Sequence, residues 1–154
     1  MDTATRLRLI NDYANGHQLI LDALRGATEA DLDRVPADGS WTARMIVHHL
    51  ADSEMTSCLR VRRLIAEDNP QIVGYPEEVW AQQVFYDRPI EPSLEAMRAA
   101  RASTVPILLR MSDAQWQRPG QHNELGNYTP EVWLGVYVRH AQEHAAQITR
   151  ATGR

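Results

Sequence analysis

His140 and His144 stand four residues apart in a stretch that reads as one helix, so their imidazoles share a face about one turn apart. His49 lies in a second helical stretch, at an apolar-face position. Three neutral imidazoles with no fourth protein ligand describe a metal site with an open coordination position, the arrangement of catalytic zinc-type centres. Such a site supports two chemistries. A divalent cation can acidify a water for hydrolysis. It can equally hold a thiol cosubstrate as thiolate and present it to an electrophile. The chain offers no Ser-His-Asp arrangement and no phosphate-cradling glycine loop. Cys58, the single cysteine, falls among apolar helical neighbours and reads as a buried, inert thiol. Two other readings stay open. In one the site is structural and closed by a fourth ligand, His17 or His122, in a non-catalytic bundle that binds a small ligand or a partner. In the other there is no metal, and the histidines are core residues.

Helical phase decides which of the adjacent His48 and His49 points inward. Ile46, Leu50, Ser53, Ser57, Val61 and Leu64 fall within a sector of roughly 80°, with His49 at its edge. His48 lies on the opposite side, which phase assigns to solvent. In the fourth helix Trp133, Tyr137, His140, Ala141, His144 and Ile148 form the inner stripe. Burying three imidazoles without a shared partner would desolvate several polar nitrogens, and one cation satisfies a nitrogen on each. Around this trio, Asp52 and Glu143 stand three residues after His49 and His140, where either could orient a ligand imidazole or remain a solvated acid. Arg101 sits in the apolar stripe of the third helix. It either snorkels or reaches the pocket as a carboxylate or phosphate anchor. His17 falls on the inner stripe of the first helix, and His122 in the polar loop Gly120–Gly126 that should end near one mouth of the bundle.

Four long helices must position these residues. The first spans about Thr3–Arg25, with Leu7, Ile10, Ala14, His17, Leu21 and Leu24 as its inner stripe and Gly26 as its stop. The second opens at Ser40-Trp41-Thr42 and runs to Asp68, where Asn69-Pro70 ends it. The third runs from about Pro92 to Met111 and holds Pro106, which should kink or split it. The fourth opens at Thr129-Pro130-Glu131, an N-cap threonine with proline at the first helical position, and reaches about Ala151. The connections after the second and third helices are long, and the former holds a short helix from Pro76 to about Gln83. No segment shows strand alternation. A loose internal echo links Thr28-Glu-Ala-Asp-Leu-Asp-Arg34 with Ser112-Asp-Ala-Gln-Trp-Gln-Arg118, each ahead of an aromatic-Thr helix start. Two such halves make an all-α four-helix bundle.

Composition narrows the partners. The 154 residues, 44% hydrophobic, suffice for one domain with a sizeable core, and no apolar run reaches membrane-spanning length. A net charge of −4 argues against nucleic acid as partner. All sixteen basic residues are arginine. The start of the chain lacks the pattern of a signal peptide, so a cytoplasmic location is expected.

At these residues the chain resembles the DinB/YfiT-like metalloenzymes. The matching features are Trp41-Thr42 followed by His49-Leu50-Ala51-Asp52-Ser53-Glu54, and Asn69-Pro70 with Gly74-Tyr75 and Trp80 after it. They continue with His122, Gly126 and Thr129, and with His140-x3-His144-x2-Gln147-Ile148. The resemblance covers residues 1–154 almost throughout and implies a four-helix bundle with a divalent metal, zinc or nickel above all, on His49, His140 and His144. It further implies a small-molecule substrate, a low-molecular-weight thiol as cosubstrate in some members, a homodimer, and in others a damage-inducible protein of no known reaction. Thiol transfer is favoured over hydrolysis only through this resemblance. His17 and His48 match no family role.

Overall fold

The computed structural model describes residues 1–153. Four long helices carry the fold: α1 (Thr3–Leu24), α3 (Ala43–Ala66), α5 (Glu91–Leu108) and α7 (Pro130–Ala151). Short elements join them: α2 (Glu29–Leu32), β1 (Gln71–Ile72), α4 (Glu77–Gln83), α6 (Asp113–Trp116), β2 (Gln121–His122) and β3 (Gly126–Asn127). The starts follow from local chemistry. Asp2, Thr42 and Thr129 each accept a hydrogen bond from the backbone N–H three residues on, satisfying donors that the first turn leaves unpaired. The echoed segments are α2 and α6, and both carry a reciprocal capping box, Thr28 with Asp31 and Ser112 with Gln115. Pro106 does not split α5: it lies in the last turn, and the helix ends two residues later.

Around the bundle the order is α1, α7, α3, α5, with α5 closing back on α1. Glu131 at the start of α7 meets Met1 and Arg6 at the start of α1, so those two helices run parallel. His48 meets Ser93, and Arg62 meets Thr104, so α3 and α5 are parallel as well. Trp133 bonds to Ser57 while His140 meets His49, which sets the two pairs antiparallel. Among the four long helices, those consecutive in sequence are therefore close neighbours in only one case, α3 with α5.

The first and last thirds of the bundle are apolar and the middle is not. One core cluster gathers Ile10, Tyr13, Leu64, Trp116, Trp133 and Leu134. The other gathers Ile20, Ile46, Leu50, Met97 and Ile148. Between them every long helix contributes a polar or small residue: Gly16 from α1, His49 and Glu54 from α3, Arg101 from α5, and His140 and His144 from α7. Arg101, almost fully buried, bonds to Glu54 Oε2 through Nε at 2.8 Å and Nη2 at 2.7 Å, and to the backbone oxygens of Tyr13 and Tyr137 at 2.5 and 3.3 Å. Tyr13 donates its hydroxyl to the other Glu54 oxygen at 2.6 Å. Gly16 makes room for this network, since a Cβ there would overlap the Arg101 guanidinium.

Two expectations change here. The buried face of α1 is Arg6, Ile10, Tyr13, Gly16 and Ile20, whereas Leu7 and Leu21 are exposed and Ala14 lies outside. Hydrophobic counting misses a face built around Gly16 and an ion pair. Strands are also present. β1 pairs in parallel with β2, and β2 antiparallel with β3, in a register of Ile72 with His122 and His122 with Gly126. Two-residue strands cannot show alternation, yet these stitch the two long connections together beside the polar layer.

Candidate metal centre

His49 projects from the second turn of α3, and His140 and His144 from successive turns of α7, across the α3–α7 packing face. Their Nε2 atoms converge: His49 to His140 is 3.1 Å and His144 to His140 is 3.2 Å. One nitrogen from each of the three lies within 4.8 Å of the others. Tetrahedral bonds of about 2.0–2.1 Å from zinc to nitrogen set ligand nitrogens about 3.3–3.4 Å apart, so the spacing fits a shared divalent ion. The far sides of two rings fit as well. His144 Nδ1 lies 2.7 Å from Gln147 Oε1, an acceptor, which fixes the proton on Nδ1 and leaves the Nε2 lone pair facing inward. His49 Nδ1 lies 3.2 Å from the Tyr75 hydroxyl. The Trp41 ring stands edge-on to His49 at 5.1 Å.

Electrostatics keep all three rings neutral. Burial, then His144, pushes His49 down to about 3. Burial, then His144 and His49, holds His140 well below the ordinary histidine value. Burial also lowers His144, against the opposing bond to Gln147. Neutral imidazole is the form that binds metal, and a cation among the three rings would take a lone pair from each. His49 is buried, but His140 and His144 are only half-buried. A cavity of about 150 Å³ adjoins His140. It is lined by Ser53, Tyr75, Tyr137 and His122, with Arg60 on one wall and Glu77 and Glu124 at its rim. Larger surface clefts, such as one of about 490 Å³ between α1 and α7, hold no histidine.

The other candidates from the sequence land elsewhere. Asp52 does not orient His49: its carboxylate accepts the Tyr86 hydroxyl at 2.7 Å. Glu143 is exposed, and Gln147, one helical turn further on and three residues after His144, takes the orienting role. Arg101 is no anchor for an anion, because Glu54 and two backbone oxygens occupy it at the bundle centre. His17 is half-buried and stands apart from the trio, near Arg98, Arg101 and Glu95. His122 lines the cavity, and its Nδ1 accepts the backbone N–H groups of Glu124 and Leu125, which shapes the loop. Neither His17 nor His122 joins the three-histidine group. His48 faces away from the trio as phase requires, but not toward solvent. It is fully buried, with Nδ1 2.8 Å from Ser93 Oγ and Nε2 2.9 Å from the Arg88 backbone oxygen. The start of α5 and the segment before it cover that face. Cys58 is half-buried rather than buried, and partial burial pushes its thiol up, away from thiolate.

A model of the DinB superfamily matches residues 13–148, nearly the whole bundle. This chain belongs to the DinB superfamily. A protein of Oceanobacillus iheyensis named "Putative metal-dependent hydrolase OB0782" is 33% identical over 140 residues, 91% of this chain and 81% of that protein. A Bacillus cereus protein with the same description is 32% identical over 145 residues, 94% of this chain and 82% of its own length. Among solved structures, YfiT from Bacillus subtilis superimposes with a TM-score of 0.93 at 29% identity, covering all of this chain and 89% of that one. It is described as a probable metal-dependent hydrolase with an unusual four-helix bundle topology. The order of helices found here, with parallel pairs α1–α7 and α3–α5, is the same bundle.

Proposed function

We propose that this protein is a metal-dependent hydrolase acting on a small molecule, with a divalent ion held by Nε2 of His49, His140 and His144. The observation that carries the reading is the convergence of three neutral Nε2 atoms while Gln147 and Tyr75 engage the opposite sides of two of the rings. The names borne by the relatives agree with it. A divalent ion in that position supplies Lewis acidity toward water or a substrate oxygen. The chain supplies the rest. Gln147 fixes the tautomer and orientation of His144, and Trp41 and Tyr75 pack against His49, limiting access from that side. The half-buried face of His140 leaves the approach from the cavity. Glu77 at the rim is the carboxyl placed to exchange a proton with a bound substrate. Partial desolvation, then Glu124 and Glu78, raises it above the usual carboxylate range against the pull of Arg60. Asp52 and Glu143 are not available for that task.

Metal analysis followed by an activity screen tests the reading. Turnover of simple esters or amides without added thiol, lost in His140→Ala, supports hydrolysis. Turnover of electrophiles only with a low-molecular-weight thiol reassigns the site to thiol S-transfer. Zinc and nickel are the ions to try first. A homodimer and a cytoplasmic location belong to the same reading, and light scattering checks the first. Among the described residues no helix is long and apolar enough to cross a membrane.

A further inference from the structure

We propose that Arg60 is the anchor for a carboxylate on the substrate, so that the site takes small molecules bearing a carboxylate near the bond that reacts. This rests on the three-histidine centre as the place of reaction. Arg60 lies on α3, three turns after His49, and lines the same cavity as His140. Two of its five N–H donors are used: Nη1 bonds to the Tyr137 hydroxyl at 3.0 Å and Nη2 to the Val73 backbone oxygen at 2.9 Å. Those two bonds come from different elements, α7 and the segment after β1, and they hold the guanidinium at the cavity wall.

Among the described residues, no carboxylate forms an ion pair with Arg60. The buried arginines all have one: Arg6 meets Asp113 and Glu131, Arg44 meets Glu29 and Asp33, and Arg101 meets Glu54. Arg62 spends its donors on Cys58, Ser103 and Thr104 and is not part of this cavity's lining. Arg60 therefore presents free donors to a space beside His140, its charge felt by Glu77 but met by no ion pair. A carboxylate matches the planar fork of a guanidinium with two parallel hydrogen bonds.

The rest of the cavity limits what the anion can be. Its 150 Å³ hold about five waters' worth of liquid volume, enough for a short acyl fragment. Glu77 and Glu124 stand at the rim, where Glu77 feels the Arg60 charge. Two carboxylates at the entrance disfavour a dianion such as a phosphate monoester more than a monoanion. The hydroxyls of Tyr75 and Tyr137 add neutral polar contacts on the way to His140.

The test compares two hydroxamates of matched length on zinc-loaded protein by calorimetry, one ending in a carboxylate and one in a carboxamide. The acid-tailed compound should bind about tenfold or more tightly than the amide-tailed one. Arg60→Gln should abolish that preference while keeping zinc stoichiometry and the amide-tailed affinity, and Arg60→Lys should retain part of it. Equal affinities in the wild type, or a preference that survives Arg60→Gln, overturns the proposal. So does an equal loss of both ligands in Arg60→Gln, which would make Arg60 only a clamp on the loop. Should the protein take up no zinc, the metal reading has failed separately. The decision on Arg60 then comes from nuclear magnetic resonance of metal-free protein, with acetate and acetamide as probes. A saturable shift of the Arg60 Nε–H with acetate alone supports the anchor, and its absence refutes it.

Discussion

Replacing Gln147 with leucine removes one hydrogen bond and little volume, and it probes how the centre is oriented. The bond from His144 Nδ1 to Gln147 Oε1, at 2.7 Å, lies at the short end for N–H to oxygen. It strengthens when a cation withdraws charge from the imidazole. Partners of this kind are worth about 10- to 100-fold in metal affinity, or about 1.4–2.7 kcal/mol. Gln147 is half-buried and its bond short, which places Gln147→Leu in the upper part of that range. Tyr75→Phe, which loses a longer contact of 3.2 Å, should cost about tenfold or less. The assay is competition for zinc between tag-free protein and a chelator of known affinity, with urea unfolding of the metal-free forms as control. There Gln147→Leu should shift stability by less than about 1 kcal/mol. Were the amide group of Gln147 to face His144 instead, the ring proton would sit on Nε2, against the other two histidines, and the leucine variant would bind zinc more tightly. Affinity unchanged within twofold, alongside collapse in His144→Ala, would refute the orienting role.

Three further outcomes follow from the same geometry. Glu54→Gln leaves the Arg101 charge buried without its counter-charge and should cost roughly 3–5 kcal/mol in urea unfolding. Adding Arg101→Met should restore part of that loss, and strictly additive costs would show that the pair is not coupled. His48→Ala should cost about 1–3 kcal/mol by stranding Ser93 and the Arg88 carbonyl, yet leave metal content unchanged; loss of the ion would put His48 in the site. Metal-free protein should weaken as pH falls. His49 stays neutral when folded down to about 3, and His140 is also held well below 6.5, whereas the unfolded chain takes up these protons near 6.5. The unfolded state thus binds more protons in that window, and stability drops by up to about 1.4 kcal/mol per pH unit for each group. His49→Gln with His140→Gln should flatten that slope, and an unchanged slope contradicts it.

Much of the bundle was legible in the chain because helix ends are local chemistry. Thr42, Thr129-Pro130 and Asn69-Pro70 mark boundaries within a few residues of those seen, and the echo of Thr28–Arg34 in Ser112–Arg118 is a repeated capping box. The histidine trio was legible because i, i+4 spacing and helical phase are properties of single helices. What sequence could not supply was the partner across the bundle. His48 looked solvent-facing because its own helix says nothing of the segment from Val84 to Ile90 that covers it. The inner face of α1 was misread because Gly16 and Tyr13 face an ion pair rather than an apolar core. Arg101 loses its expected anchoring task for the same reason: only the fold reveals that Glu54 already holds it. Tyr75, Glu77 and Glu124 lie on connections whose path is set by a two-residue strand pairing that carries no pattern.

The most direct test of the centre is the metal content of untagged protein, measured by inductively coupled plasma mass spectrometry with its single-site variants. The account predicts one divalent ion per chain, lost in His49→Ala, His140→Ala and His144→Ala and retained in His48→Ala. Protein that folds normally but carries no stoichiometric ion after reconstitution, or that keeps its ion in any of the first three variants, would contradict it.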